Sequence, residues 1–408
     1  MNQTTQEAVT TPGLALSSVS LHIESLVPLA SSSSQIKTSN GDVKTPESLV
    51  ESHDAWMKLQ VADRMQWRHG FRSNKKGGLV FLDADALKKQ QGVVKEIMLQ
   101  VGAQLLSGKL AVRISLPIRI FEPRTLLERV ADGWNYAPTL LTKASRPGTD
   151  PVERLKLLMA FVVGGLHFCA GQHKPFNPIV GETYEATYAD GARMAFEHVS
   201  HHPVKSAFSL TGPQERYQLS GAFEFEAVSN GNAITNHQIG TVKIAFRDGQ
   251  VVTYTMPQIK MHGMMFGERV VEIVGSAVFE DRTNNLRGEL QFDANNGLFK
   301  KSHGDDIKGQ IVDTKAGHKH AIAKAHGSWL THLHFNEKPY WDVETEPMFE
   351  HTPVADALPS DVRFREDVIA LKNGDLVLAQ SEKLRLEEQQ RADGRLRDAT
   401  KPQPHRKH

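Results

Sequence analysis

The feature that most constrains the fold of this chain is a region, from residue 182 to about 336, in which short segments alternate between apolar and polar residues. A period of two is the pattern of a strand that buries one face. Examples of such segments are Gln218–Ala227, Ile234–Phe246 and Val270–Val278. Turn signals separate them, such as Asn230-Gly231-Asn232, Asp248-Gly249 and Asn295-Asn296-Gly297. Many short strands joined by hairpins predict a large antiparallel sheet, and the length of the region favours a curled or closed one.

Helical patterns lie on both sides of the strand-rich region. Helices are predicted, with approximate ends, over residues 51–68, 93–106, Glu122–Val130, Asp150–Gly171 and Asp375–Arg397, and a strand-like piece covers Val112–Phe121. Proline at the first helical position supports the start at Asp150-Pro151. The chain is therefore expected to be α+β, in the order α, β, α, with helices that plug or flank the sheet.

The two ends of the chain differ in composition from its middle. Residues 1–48 are rich in Ser, Thr, Gln and Gly, which predicts a disordered leader. Residues 49–92 are expected to be an N-terminal helical extension. The final residues, 401–408, form a basic tail.

Composition excludes several functional classes. The 48 Lys and Arg residues balance 47 Asp and Glu residues, so any affinity for phosphate must be local rather than the global field of a nucleic-acid binder. The single cysteine, Cys169, cannot form an internal disulfide and predicts a reducing compartment. The first residues show no secretory signal, and the most apolar stretch, Leu157–Gly171, is too short to span a bilayer. No nucleotide-binding loop or nucleophile elbow is present.

The segment Ser200-His201-His202-Pro203 is the strongest candidate for a binding site. Imidazoles donate hydrogen bonds to phosphate oxygens, and a bound dianion favours their charged form. Pro203 cannot continue a strand ladder, which predicts that the pair lies at a strand end or bend. A structural turn that contains two histidines is the alternative interpretation.

Two further cationic elements lie far from this segment in sequence. Lys174 is followed by two prolines, which predict a rigid loop that holds the lysine for an anion at low entropy cost. A solvated surface lysine is the alternative. Lys383, Glu387 and Arg391 recur every four residues, so one helix face carries all three, and Glu387 can pair with both cations. An ordinary solvated helix face is again the alternative.

Histidines late in the strand region offer a competing interpretation. Iron and zinc sites are commonly built from histidines, and two His-x-His pairs direct imidazoles to one side of a strand. The candidates are His318, His320, His326, His332 and His334. No suitably spaced carboxylate is evident, so polar histidines on an exposed strand face are the other interpretation. No metal or cofactor is assigned.

In chain order these motifs resemble the oxysterol-binding protein related family, whose signature is Glu-Gln-Val-Ser-His-His-Pro-Pro. The segment Glu197–Val204 matches six of its eight positions, with His198 in place of Gln and Val204 in place of the second Pro. Further matching segments are Arg113–Pro117, Lys174–Thr183, Phe364–Asp367 and Glu382–Arg391. The resemblance spans residues 90–397, roughly, and rests on several motifs in the right order.

The resemblance implies a lipid-transfer domain over residues 111–400. Its fold would be a large incomplete antiparallel β-barrel around a hydrophobic lipid tunnel, with an N-terminal lid helix at 93–110 and a C-terminal helical region. The apolar face of the lid would carry Val94, Ile97, Met98, Val101 and Leu105. A helix that only packs on the core is the alternative for this segment.

The resemblance also implies the ligands and the residues that bind them. The headgroup of phosphatidylinositol 4-phosphate would be bound by Lys174, Asn177, His201, His202, Lys383, Glu387 and Arg391. Asn177 matches a position that touches a phosphatidylserine headgroup in some members of the family. Phe121–Arg124 and Leu126–Arg129 are more similar to members that carry phosphatidylserine than to sterol carriers.

The expected function is therefore extraction of phosphatidylinositol 4-phosphate and its exchange between membranes for a second lipid, phosphatidylserine or sterol. A short family member of this kind is expected to be cytoplasmic and peripheral at membranes, with transient membrane surfaces as partners and without catalytic residues, cofactors or nucleic acid. Two alternatives remain open. One is a metal-dependent β-barrel enzyme that uses His318, His320 and His326, and the other is a lipid sensor that binds without transport.

Overall fold

Antiparallel pairing of consecutive strands organises the protein, whose computed structural model describes residues 71–85, 87–88, 90, 92, 115–171, 173–201, 203–230, 232–292, 304–315 and 320–400. Over these residues seventeen strands form one sheet, and β3 and β4 form a separate parallel pair. The strands are β1 (Phe71–Ser73), β2 (Leu79–Phe81), β3 (Phe121–Thr125), β4 (Lys174–Phe176), β5 (Thr183–Thr187), β6 (Arg193–His201), β7 (Val204–Thr211), β8 (Tyr217–Asn230), β9 (Ala233–Ile239), β10 (Val242–Phe246), β11 (Val251–Tyr254), β12 (Gln258–His262), β13 (Val270–Asp281), β14 (Leu286–Phe292), β15 (Asp306–Asp313), β16 (Ala321–Ser328), β17 (His332–Phe335), β18 (Lys338–Asp342) and β19 (Thr352–Pro353).

The sheet follows the chain as a long meander. Strand β19 pairs with β5, and β5 to β8 then pair in sequence. The first part of β8 pairs with β10 and the second part with β9. Strands β11 and β12 both pair with β13, and β13 to β18 continue in order. The predicted large antiparallel sheet is therefore confirmed.

The described helices are few and lie before and after the meander. They are α1 (Leu126–Ala131), α2 (Thr142–Ala144), α3 (Pro151–Leu166), α4 (Glu366–Lys372) and α5 (Leu376–Thr400), together with short 3-10 and π turns. The predicted start at Asp150 is confirmed, because its Oδ1 accepts hydrogen bonds from the backbone N–H groups of Val152 at 2.9 Å and Glu153 at 3.0 Å. The predicted C-terminal helix is α5. None of the helices that the structure describes combines the length and apolar composition needed to cross a bilayer.

Helix α3 lies in the core of the protein. Leu155, Leu158 and Phe161 are almost completely buried, and each such side chain stabilises the fold by about 1.5–3 kcal/mol. Gly164 allows a close approach of two aromatic side chains, because a Cβ at this position would lie 2.9 Å from Cδ2 of Tyr136 and 3.0 Å from Nε1 of Trp341. The apolar run that is too short for a bilayer is therefore a core helix.

Four predictions of local structure are wrong. The region 49–92, expected to be helical, contains strands β1 and β2 in its described part. The segment Ile234–Phe246 is two strands, β9 and β10, because Gly240 adopts a φ of +129° and lies so close to Ala222 that a Cβ would be 2.3 Å from its carbonyl oxygen. In the described part of the predicted strand Val112–Phe121, residues 115–120 form no strand. Strand β3 instead begins at Phe121, and the helix predicted from Glu122 begins at Leu126.

The delay of this helix has a local cause. The backbone N–H of Thr125 donates to Oε2 of Glu128 at 2.8 Å, which forms a capping box at the start of α1.

Several predictions concern residues that lie outside the described part of the chain. They are the leader 1–48, the helix 51–68, the lid 93–110 with Val94, Ile97, Met98, Val101 and Leu105, and the basic tail 401–408.

Candidate functional site

The ring of Phe121 is the meeting point of two of the predicted cations. Strand β3 pairs in parallel with β4 in a register that places Phe121 opposite Lys174. The ammonium nitrogen of Lys174 lies 5.1 Å from the ring centroid, and that of Lys383 lies 5.2 Å from it. Both are cation–π distances. The ring is itself buried against Phe176, with centroids 4.9 Å apart. The fold therefore brings β4 and α5 together around one aromatic side chain.

Lys174 is partly buried and lies close to a second cation. Its Nζ donates to Oδ1 of Asn177 at 2.6 Å and to the carbonyl oxygen of Pro175 at 3.2 Å. Burial, and after it the charge of Lys383, lowers the pKa of Lys174 to about 8, while the charge of Glu387 partly opposes the shift. Because its charged form is destabilised, Lys174 gains more from an incoming anion than a solvated lysine would.

Lys383, Glu387 and Arg391 share one face of α5, as their spacing predicts. The Nζ of Lys383, a residue that is only 4% exposed, donates to Oε1 of Glu387 at 2.6 Å and to Oγ of Ser115 at 2.8 Å. Arg391 lies farther out, with Nη1 at 4.0 Å from Oε2 of Glu387, while its Nε donates to Oε2 of Glu388 at 2.9 Å. Lys383 and Glu387 therefore belong to the cluster, and Arg391 stands at its edge.

Arg365 holds the loop after β4 against the start of α4. Its Nη1 donates to Oε2 of Glu182 at 2.8 Å and to the carbonyl oxygen of Asn177 at 2.9 Å. Its Nη2 donates to Oδ2 of Asp367 at 2.7 Å. Sequence reasoning did not select Arg365 as a site residue, although it lies in the matching segment Phe364–Asp367. The signal available in the sequence was an arginine two residues before an aspartate at a helix start.

The paired histidines lie at the predicted strand end. Strand β6 ends at His201 and β7 begins at Val204, so Pro203 falls in the tight connection between them. The ring of His201 meets that of His198 edge to face, with centroids 5.8 Å apart. His202 lies outside the described residues.

The charge of Arg365 acts both on the histidines at the end of β6 and on the lysines around Phe121. Burial, together with the charges of His201 and Arg365, lowers the pKa of His198 to about 4. The charge of Arg365 also contributes to lowering the pKa of Lys174. The two parts of the site, remote in sequence, therefore share one electrostatic environment.

The cluster has an excess of positive charge. Among the residues that the structure describes, Arg365 is offset by two carboxylates, whereas Lys174 and Lys383 share that of Glu387. Unbalanced positive charge away from water is stabilised by an anion that also accepts hydrogen bonds. The arrangement is therefore suited to binding an anionic group.

The later histidines do not gather into a metal site in the part of the chain that the structure describes. His326 and His334 are cross-strand partners with ring centroids 5.3 Å apart, and the ring of His332 lies 4.9 Å from that of His334. Among the described residues, no three His, Cys, Asp or Glu side chains are placed to hold a metal ion. His320 precedes β16, and His318 lies outside the described residues. The described geometry therefore gives the metal interpretation no support.

Comparison with protein families gives one match that covers most of the chain. The family described as oxysterol-binding protein matches residues 103–408. Oxysterol-binding protein 9 of Dictyostelium discoideum is 34% identical over 351 residues, which are 80% of this chain and 82% of that protein. Oxysterol-binding protein-related protein 3B of Arabidopsis thaliana is 28% identical over 70% of this chain and 66% of its own length. Oxysterol-binding protein-related protein 5 of Mus musculus is 27% identical over 74% of this chain, and the match spans 36% of the mouse protein.

Solved structures show the same fold. The Osh3 domain in complex with PI(4)P from Saccharomyces cerevisiae is 24% identical, with a TM-score of 0.60 over 74% of this chain and 84% of that domain. The Osh1 domain in complex with ergosterol is 22% identical, with a TM-score of 0.58 over 72% of this chain and 78% of that domain. These likenesses confirm the predicted fold class, a large antiparallel sheet of the incomplete-barrel type with C-terminal helices.

Proposed function

This chain belongs to the oxysterol-binding protein family, and we propose that it binds the headgroup of phosphatidylinositol 4-phosphate at the cluster around Phe121 and exchanges this lipid for a second one. The observation that carries the proposal is the approach of Lys174 and Lys383 to one ring, where Glu387 is the one carboxylate among the described residues that offsets them. Members of this family bind and transfer lipids. The proposed activity is accordingly binding and release, without a bond-breaking step.

The charge of the headgroup matches the charge of the cluster. A phosphomonoester carries about −1.5 to −2 charges near neutral pH and presents three acceptor oxygens. Lys174 and Lys383 supply the nearest ammonium donors, and His201 with His202 adds imidazoles from the strand end. Arg391 supplies a further cation at the edge of the cluster. The carboxylate of Glu387 both orients Lys383 and is available to accept from an inositol hydroxyl.

Transport follows if the sheet encloses the acyl chains. Apolar surface exposed to water costs roughly 25 cal/mol per Å2, so a cavity that shields the chains lets a lipid leave its membrane without any reaction. A cavity that holds one lipid at a time then exchanges the two cargoes. The proposed place of action is the cytoplasm, at the surfaces of two membranes, with the segment 93–110 as the lid.

The second lipid is proposed to be phosphatidylserine or a sterol. Structural relatives were solved with ergosterol and with cholesterol as well as with PI(4)P. The segments Phe121–Arg124 and Leu126–Arg129, whose resemblance favours phosphatidylserine, carry two ion pairs, Arg124 with Asp132 at 2.8 Å and Arg129 with Glu122 at 3.2 Å.

The test is a transfer assay between two liposome populations. Donor liposomes contain phosphatidylinositol 4-phosphate, and acceptor liposomes contain either phosphatidylserine or a sterol. Movement of the phosphoinositide to the acceptors, accelerated by only one of the two counter-lipids, is the expected result and identifies the second cargo. Extraction without delivery would instead support the sensor function, and no extraction would overturn the proposal.

A further inference from the structure

His198 is a fully buried histidine beside the proposed headgroup cluster. Its Nδ1 is hydrogen-bonded to Oγ of the buried Ser206 at 2.9 Å, on the neighbouring strand β7. Within the described residues its Nε2 has no hydrogen-bond partner. A buried polar atom without a partner reduces stability, so packing alone does not account for a histidine at this position.

The surroundings of His198 hold it rigidly. Its backbone N–H donates to the carbonyl oxygen of Glu182 at 2.9 Å, and its carbonyl oxygen accepts from Gly181 at 2.8 Å. Arg365 binds the side chain of the same Glu182. Together with the bond to Ser206, these contacts fix both the backbone and one edge of the imidazole. The ring of His198 therefore has a fixed orientation, and a side chain that packs against it is restrained by it.

What packs against it is His201. The two rings meet at an interplanar angle of 80° with centroids 5.8 Å apart, which is the edge-to-face geometry that aromatic rings prefer. The ladder is irregular between His198 and Ser200, so that His201 lies beyond the irregularity, at the end of β6.

We propose that His198 is a positioning residue of the headgroup site, which acts through His201 by holding that ring in a fixed orientation towards the phosphate. This inference rests on the proposed function, because the phosphate is the ligand that His201 would meet. It adds to that function a residue that does not itself touch the ligand.

The charge state of His198 is consistent with a positioning role for His198 and a ligand-binding role for His201. His198 is buried, and burial together with the charges of His201 and Arg365 lowers its pKa to about 4. Near neutral pH His198 is therefore uncharged. A protonated His198 would oppose a positive charge on His201, whereas a neutral one leaves His201 as the imidazole that a bound dianion can charge.

Two substitutions separate the contact with His201 from the bond to Ser206. His198→Asn keeps an amide near the position of Nδ1, where it can still bond Ser206, but removes the outer half of the ring that meets His201. His198→Gln extends an amide to the position of Nε2 and so restores a group against His201. A merely structural role, which depends on the bond to Ser206, would be satisfied by His198→Asn.

The experiment measures binding of dioctanoyl phosphatidylinositol 4-phosphate by titration calorimetry with the full chain. The headgroup alone, inositol 1,4-bisphosphate, and inorganic phosphate are tested in parallel, to distinguish a lipid site from a site for free phosphate. We expect His198→Asn to weaken binding about threefold to tenfold, the size of one aromatic contact, and His198→Gln to restore it to within about twofold. The ring-carbon NMR shifts of His201 should move in His198→Asn.

The matched control is His351→Asn, at a partly buried histidine that also has a lowered pKa and whose ring contacts Tyr184 and Tyr188. It is expected to leave binding unchanged. Wild-type affinity together with an unchanged His201 spectrum in His198→Asn would overturn the inference. If His198→Asn does not fold, Ser206→Ala is the deciding variant, because it removes the hydrogen bond that holds the ring of His198 and leaves the ring itself in place. Undiminished affinity of Ser206→Ala would also overturn the inference. No binding by the wild type would instead reject the proposed function.

Discussion

Arg365 and Glu182 form a buried ion pair, with Nη1 of the arginine 2.8 Å from Oε2 of the glutamate and side chains that are 9% and 3% exposed. Burial raises the pKa of Glu182, and the charge of Arg365 opposes this shift. The pair joins the residue before α4 to the residue before β5. Because α5 follows α4 directly, the position of Lys383 beside Lys174 depends on this link.

Loss of the pair should destabilise the protein strongly. Arg365→Met leaves Glu182 and Asp367 buried without their countercharge, and we expect the free energy of unfolding to fall by about 3–5 kcal/mol. Urea denaturation followed by circular dichroism measures the change. The matched control is Arg282→Met, whose side chain is 89% exposed in its pair with Glu280, and which should change stability little. Equally small effects for both variants would contradict the structural role of Arg365.

The two lysines around Phe121 should be required for phosphoinositide binding. Lys174→Met and Lys383→Met each remove a charged donor, and a charge-assisted hydrogen bond contributes about 1.5–3 kcal/mol, or roughly a 10- to 150-fold change in affinity. Sedimentation of liposomes after incubation with the protein measures extraction of phosphatidylinositol 4-phosphate. Lys338→Met, at a side chain that is 66% exposed on β18, serves as the control. Undiminished extraction by both site variants would exclude this cluster as the headgroup site.

The affinity for the phosphoinositide should decrease in alkaline solution. The pKa of Lys174 is lowered to about 8, chiefly by burial, so the empty site loses one positive charge above that pH. Binding should therefore weaken from about pH 8 to about pH 10. In Lys174→Arg the guanidinium stays charged over this range and the affinity should stay nearly constant. A parallel decline in both proteins would show that another group is responsible.

The lowered pKa of Lys174 should make the ligand-free protein more stable as the pH rises, although it weakens binding. An unfolded lysine has a pKa of about 10.4, so between about pH 8 and pH 10.4 the unfolded chain binds a proton that native Lys174 has released. The contribution of Lys174 to the free energy of unfolding therefore becomes more favourable as the pH rises through this window. Comparison of denaturation curves for the wild type and Lys174→Met isolates this contribution, and a difference between them that does not vary with pH would contradict it.

The paired histidines provide a further test. His201→Ala combined with His202→Ala should abolish extraction of phosphatidylinositol 4-phosphate, because imidazole donors from the strand end are lost, while the unfolding temperature stays near that of the wild type. The control is His326→Ala combined with His334→Ala, a histidine pair on neighbouring strands β16 and β17. The assignment of the headgroup site to His201 and His202 would be rejected if their replacement left extraction intact while replacement of His326 and His334 abolished it.

Patterns that depend on neighbours in sequence predicted much of this protein. Alternation of apolar residues predicted the antiparallel sheet, Asp150-Pro151 predicted the start of α3, and Pro203 predicted the end of β6. The spacing of Lys383, Glu387 and Arg391 predicted one helix face. Where local signals were misjudged, another local feature explains the error, since the positive φ of Gly240 divides a predicted strand and the capping box at Thr125 delays a helix.

The composition of the candidate site was decided by the tertiary structure. Phe121 gave no sequence signal of contacting two lysines, and Arg365 gave none of balancing Glu182 or of lowering the pKa values of His198 and Lys174. Local sequence determines which residues share a strand or a helix face, because the backbone repeats every two or 3.6 residues. Which charges share a desolvated space depends on contacts between remote segments, and burial in that space is what lowers the pKa of Lys174.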